Sequence, residues 1–228
     1  MIHEIEAKKL LITNPHPSYW FGVKYYLNIY RGCMHGCIYC DTRSECYNID
    51  NFDTDISVKT NAIELLKKEL SSKRSKETIG FGSASDPYVQ IEKKYELTKQ
   101  ALNVVKDFRF PLFLLTKSNL VIRDAEILRQ INKQNYACVA FTITTADDNL
   151  AKIIEPHAPL PSQRFQAMSI LACSRGKSWC FGNAYSSFHN RYRRKYNKHC
   201  EASEFTRCQF RLLLFWCYTK RQTKKIFL

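Results

Sequence analysis

The 228-residue sequence has no apolar run approaching the roughly 18 residues that a membrane-crossing helix needs. Its longest contiguous apolar stretches, such as Leu212–Tyr218, are far shorter. The opening residues Met1 to Glu6 carry two acids and no apolar core of signal-peptide length. No internal repeat recurs at a fixed period, and no low-complexity linker interrupts the chain. Acids are almost missing from the last quarter: Cys173 to Leu228 holds 13 Lys+Arg against Glu201 and Glu204 alone. These absences exclude a collagen-like repeat, a bare coiled coil and a membrane span, and predict a cytoplasmic protein without membrane partners.

What is present suits a globular protein. Hydrophobic residues make up 45% and charged residues 25%, and the length fits one full domain or a domain with a small appendage. Ten cysteines in a compartment that keeps thiols reduced point to metal ligation or catalysis before disulfides. The formal charge of +14 would suggest nucleic acid, but it is unevenly spread. Residues 1–172 hold 22 basic and 19 acidic side chains, net +3, whereas the tail carries net +11 and half of the cysteines. The chain therefore divides into a body, 1–172, and a basic, Cys-rich tail, 173–228.

Apolar spacing along the body gives alternating elements. Tyr25 to Tyr30 is rich in β-formers and runs into Arg31-Gly32. Lys59–Lys73, Tyr95–Phe108, Arg123–Asn135 and Ser162–Ala172 have helical periodicity, with Ser162 as an N-cap and Asp124 and Glu126 near a helix start. Thr78 to Gly82, Pro111 to Thr116 and Ala137 to Thr144 read as buried strands. The order β-α-β-α-β-α-β-α predicts an α/β fold with a parallel sheet, open or barrel-shaped.

After the first strand comes Arg31-Gly32-Cys33-Met34-His35-Gly36-Cys37-Ile38-Tyr39-Cys40. Three thiols spaced C-x3-C-x2-C in a loop broken by Gly32 and Gly36 can wrap one inorganic centre. They are one ligand short of a closed zinc site or a complete cluster cage. A four-iron cluster held by three cysteines keeps an iron open to a substrate. A closed zinc site would need Cys46 or His35 as a fourth ligand. Cys138 reads as a buried core thiol.

Cys33, Cys37 and Cys40 resemble the signature of the radical SAM superfamily. The stretch from Asn28 to Cys40 resembles the branch that contains spore photoproduct lyase and its photolyase-like relatives. Ser85-Asp86-Pro87-Tyr88 with Glu92, Thr116-Lys117-Ser118 with Arg123-Asp124, and Glu155-Pro156 with Ala158-Pro159 extend the likeness over about 20–172 in collinear order.

The resemblance implies a partial (β/α)6 TIM-type barrel, here incomplete after four β/α units. It also implies a 4Fe-4S cluster on Cys33, Cys37 and Cys40, S-adenosylmethionine as cosubstrate, and an electron donor such as flavodoxin or ferredoxin. Nucleic acid is a candidate substrate. Each motif follows the end of an expected strand, where such barrels carry their chemistry. Gly80, Gly82, Ser83 and Ser85 fall where the family approaches the methionine end, and Tyr39 where an aromatic lies beside the adenine. Asp86 and Glu92 are polar site residues or a capping pair. Lys117 is a partner for a carboxylate or phosphate, or a solvated lysine. Thr144 and Thr145 are ribose contacts or ordinary strand threonines. In spore photoproduct lyase a cysteine two residues before the Ser-Asp pair returns hydrogen to the product radical. The aligned residue here is Ser83, whose O–H bond is too strong for that role.

The tail matches no further part of the family. Cys173 to Ser178 lacks the first glycine of a phosphate loop, and Asn190 to Tyr196 mixes bases and aromatics as a polynucleotide surface does. It reads as a basic appendage or as a stretch translated in a shifted frame, and the abrupt compositional change favours the second. Two other readings of the whole chain stand beside the enzyme: a non-enzymatic metal- or nucleic-acid-binding protein, and a catalytically dead truncated relative.

Overall fold

Short apolar strands alternating with amphipathic helices build one six-stranded sheet and a smaller three-stranded one. The structure, a computed structural model, describes residues 1–17, 22–44, 47, 49, 51–173 and 179–184, with the last six and Cys173 followed as backbone. The expectations for Cys46 and for the tail beyond 184 lie outside the described residues.

The strands are Ile2–Ile5 (β1), Leu11–Thr13 (β2), Val23–Leu27 (β3), Tyr30–Arg31 (β4), Ile56–Lys59 (β5), Thr78–Phe81 (β6), Leu112–Thr116 (β7), Ala137–Ile143 (β8) and Trp179–Ala184 (β9). The helices are Ala62–Ser71 (α1), Glu92–Tyr95 (α2), Leu97–Asp107 (α3), Ala125–Gln134 (α4), Asp148–Ile154 (α5) and Pro161–Cys173 (α6). None among the described residues is long and apolar enough to cross a membrane.

The larger sheet has the order β2-β3-β6-β7-β8-β9. From β3 to β9 every pair is parallel, while β2 runs antiparallel at the margin. Strand order follows chain order without reversal, so the connecting helices collect on one face and the other face is left as a barrel-like interior. Among the described residues the sheet does not close.

Side chains alternate accordingly. Leu27, Ile79, Phe81, Leu112, Leu114, Val139 and Phe141 face the helices and pack with Leu66, Leu70, Ala101, Leu102, Val105, Leu128 and Ile131. Val23, Phe113, Cys138 and Ala140 line the inner face, with Tyr26 and Leu115 against them. Each buried aliphatic contributes about 1.5–3 kcal/mol. Leu70, with no exposed surface, is a position where truncation to alanine costs about 2–5 kcal/mol.

Three departures from the sequence reading matter for the site. The expected first strand is two strands: β3 stays in the large sheet, while β4 pairs antiparallel with β5 in the small one. The chain leaves the large sheet at Asn28, whose amide instead bonds Ser83 Oγ at 3.1 Å and accepts from the Ala84 N–H at 3.4 Å. Ser162 lies inside α6, behind Pro161, and its hydroxyl donates to Asp148 at 2.6 Å rather than capping the helix. Finally, β9 continues the parallel series in a segment without strand periodicity. Its backbone supplies partners for the free edge of β8, a demand that side-chain pattern does not record.

Candidate functional site

The small sheet braces the cysteine loop from below. The Cys33 N–H donates to Phe52 O at 2.9 Å, fixing the loop where β4 ends. Gly32 just before it has φ +94°, and a Cβ there would stand 2.5 Å from Asp55 O. Only glycine fits that turn. Further along, the Ile38 N–H donates to Ile154 O at 3.0 Å, and His35 O accepts from the His157 N–H at 3.1 Å. Backbone bonds thus tie the loop to the turn before β5 on one side and to the end of α5 on the other.

Cys37 is buried, and Cys33 and Cys40 are half-buried. The Cys40 N–H donates to Cys37 O at 3.2 Å, so those two thiols share one turn. Burial pushes the Cys33 thiol up to about 12, and the nearby Asp86 charge adds to the effect. Cys37 is likewise raised by burial, with Lys117 opposing. As the side chains stand, no group of three or more His, Cys, Asp or Glu among the described residues is gathered closely enough to hold a metal ion. Their chemistry nevertheless fits a cluster. Three thiols reach from one pinned loop, and thiolates disfavoured by burial form readily only with a cation to hold them.

Two buried carboxylates flank the loop. Asp86 accepts from the Tyr88 N–H at 2.8 Å, Thr116 Oγ1 at 2.7 Å and the Lys117 N–H at 2.7 Å. His35 Nε2 lies 3.3 Å from one of its oxygens, Oδ2. Burial would raise this carboxyl, but His35, the Lys117 N–H and the Thr116 hydroxyl outweigh it and hold it at about 2. Asp86 therefore spends its acceptor capacity inside the protein and joins the loop after β6 to the end of β7.

Glu155, at the end of α5, is the second. It accepts from Tyr39 Oη, from Thr144 Oγ1 at 2.9 Å and from the fully buried Arg164 at 2.5 Å. Burial raises the Glu155 carboxyl, and Arg164, by charge and hydrogen bond, brings it below its ordinary value. Burial and Glu155 together push the Tyr39 phenol up. Tyr39 and Thr144, far apart in sequence, thus meet at one carboxylate.

The remaining expected residues separate into rim and support. Ser83 is at the rim, paired with Asn28. Ser85 is buried beside it. Lys117 Nζ lies 5.6 Å above the Tyr39 ring, facing the cysteine loop. Gly82 follows β6 with a Cβ position blocked by the Leu115 backbone. Gly80 lies within β6 on the inner face, where a Cβ would meet Val23 at 2.6 Å, so it makes room for packing. Thr145 is buried, and its hydroxyl accepts from the Asp147 N–H at 3.1 Å. Glu92 has a capping role: it accepts from the Thr98 and Lys99 N–H groups at the start of α3. It also receives Tyr30 Oη and Arg123.

Sequence reasoning gave no role to Asn28, Glu155 or Arg164. The Glu155-Pro156 pair was itself a visible signal. Arg164 carried none, being one more charge in a helical stretch. Beside the loop a cavity of about 520 Å³ is lined by His35, Gln90, Lys93, Arg123 and His157 among others. His35 Nδ1 and Gln90 Oε1 are buried there without a hydrogen-bond partner.

Known proteins share this arrangement of sequence and fold. The sequence profile of the Radical SAM superfamily matches residues 27–180, which carries the likeness into β9. An uncharacterized protein of Methanocaldococcus jannaschii is 35% identical over 184 residues, covering 79% of this chain and 68% of that protein. An uncharacterized protein of Mycobacterium tuberculosis is 30% identical over 175 residues, covering 74% of this chain and 51% of its own length. Among solved structures, spore photoproduct lyase complexed with dinucleoside spore photoproduct superposes with a TM-score of 0.60 at 17% identity, over 86% of this chain and 54% of the lyase. A doubly substituted form of spore photoproduct lyase, with bound AdoMet and dinucleoside spore photoproduct, gives 0.57 at 17% identity, over 79% and 49%. The chain spans about half the length of the mycobacterial relative and of these lyases.

Proposed function

Because the chain belongs to the radical SAM superfamily, we propose that it is a photolyase-like radical SAM enzyme with Cys33, Cys37 and Cys40 as its cluster ligands. The observation that carries this reading is the placement of the three thiols in one pinned loop beside the carboxyl ends of β6, β7 and β8, the end where barrels of this kind do their chemistry. When bound, a 4Fe-4S cluster with an open iron and S-adenosylmethionine supply reductive cleavage of the sulfonium to methionine and a 5′-deoxyadenosyl radical, which takes hydrogen from a substrate.

The protein's part is positioning. Lys117 brings an ammonium to the cysteine loop, where it opposes negative charge such as a cosubstrate carboxylate. Gly82, Ser83 and Ser85 give a narrow rim with two hydroxyls after β6. Tyr39 and Thr144 border the loop on the β8 side, organised by Glu155. Asp86 acts through His35 and the ends of β6 and β7, orienting the groups around it. A low-potential electron carrier of the flavodoxin or ferredoxin kind serves as reductant.

Ser83 separates this enzyme from spore photoproduct lyase itself. A serine hydroxyl cannot return a hydrogen atom to a product radical as a thiol does, so the reaction ends by another route. Dinucleoside lesions are the substrate class to assay first, since the superposed lyase was solved with one.

The test is anaerobic reconstitution with iron and sulfide, followed by dithionite reduction in the presence of S-adenosylmethionine. Release of methionine and 5′-deoxyadenosine supports the reading. Zinc in anaerobically purified protein, with no cleavage after reconstitution, replaces it with a structural metal site.

A further inference from the structure

The second half of the cysteine loop is hydrogen-bonded to the end of α5. The Ile38 N–H reaches Ile154 O at 3.0 Å, and the Tyr39 hydroxyl reaches Glu155. Ile38 is 63% exposed and Tyr39 half-exposed, so between buried Cys37 and half-buried Cys40 these hydrogen bonds hold the segment more than burial does. Its position is set by what holds Glu155.

That holder is Arg164. Its guanidinium has no exposed surface and uses all three nitrogens: Nε to Pro159 O at 2.7 Å, one terminal nitrogen to Thr142 O at 2.8 Å, and the other to Glu155 at 2.5 Å. One side chain from the first turns of α6 thereby fixes the end of β8, the 156–159 connection and the residue that closes α5. A buried guanidinium is stable only with its charge met and its donors filled, so the arrangement is determined from the core outward. Tyr39 is its last member and supplies the side-chain link to the loop.

We propose that Glu155 and Arg164 are positioning residues for the cysteine loop, acting through the Tyr39 hydroxyl to hold Cys37 and Cys40 at the end of β8 before any inorganic centre arrives. The proposal rests on the reading of those cysteines as cluster ligands. It goes beyond that reading in assigning the loop's geometry to a hydrogen-bonded relay from α6.

Tyr39→Phe removes only the phenol oxygen from a half-exposed ring and leaves the Glu155–Arg164 pair intact. In the metal-free protein, hydrogen exchange at the Ile38 and Cys40 amides should quicken by about tenfold, as expected for losing one hydrogen bond to a charged acceptor. Exchange of locally opening amides in α3 and β7 should not change, and the melting temperature should fall by only a few degrees. Glu155→Gln should quicken the same two amides and also lower the melting temperature, because Arg164 loses its countercharge. After reconstitution, the cluster of Tyr39→Phe should give an altered EPR line shape. Unchanged exchange at both amides, or a uniform rise along the chain, overturns the relay. Wild-type protein that takes up no iron overturns the cluster reading instead, and the exchange measurement stands apart from it.

Discussion

His35 Nε2 lies 3.3 Å from Asp86 Oδ2, so the residue midway between the first two cysteines leans on the loop that follows β6. Since the folded Asp86 carboxyl is held at about 2, below the ordinary aspartate value of about 3.9, its ionised form stabilises the fold. That stabilisation is complete above the ordinary value and is lost as pH falls through about 2. Asp86→Asn should therefore be less stable than wild type by on the order of 2 kcal/mol at pH 7. The gap should close on acidification, which denaturant melts of the metal-free proteins across pH would check.

The three loop cysteines and Cys138 are different kinds of thiol. Cys138 is fully buried on the inner face among Val23, Phe113 and Ala140. Cys37→Ala should bring iron uptake on reconstitution to background. Cys138→Ala should keep the wild-type iron content, with a modest loss of stability of about 1 kcal/mol. Iron and sulfide analysis per chain separates the two.

Glu92 is fully buried and bonds Arg123 at 2.6 Å, the start of α3 and Tyr30. Arg123 continues to Asp124, which accepts from Tyr88 at 3.0 Å. Glu92→Ala leaves the Thr98 and Lys99 amides and the Tyr30 hydroxyl without their acceptor, while Arg123 keeps Asp124, at a cost of about 3 kcal/mol. For a chain of this size the melting temperature should fall by about 10 °C. Because Tyr30 immediately precedes the loop, iron uptake should weaken as well.

Gly32 carries a left-handed φ with a backbone carbonyl where a side chain would begin. Gly32→Ala should lose about 2–3 kcal/mol of stability from backbone strain and the clash with Asp55. The distortion falls next to Cys33, so reconstituted iron per chain should drop more than thermal stability alone explains. Melting curves and iron analysis on the same preparation check this.

The parallel series was legible because Leu112 to Thr116 and Ala137 to Ile143 are continuous apolar runs and α1, α3 and α4 have clear helical periods. The cysteine loop was legible because its chemistry is written in consecutive residues. Asn28 was not: a β-rich run conceals the break where its amide turns to Ser83 and the chain changes sheets. Nor was the Tyr39–Glu155 bond, which joins residues 116 apart in sequence. Neither a two-residue nor a 3.6-residue period links such positions, and only the folded sheet brings them together. Trp179 to Ala184 mixes strand-favouring Trp and Phe with strand-poor Gly and Asn, so its composition decides little, and its place comes from pairing with the open edge of β8.

The reversed direction of β2 sets a boundary of its own. Among the described residues the parallel series ends on that flank. Growth of this architecture is confined to the far side, past β9. A further parallel unit joins beside β9, next to the end of β8 where Thr144 and Glu155 meet Tyr39.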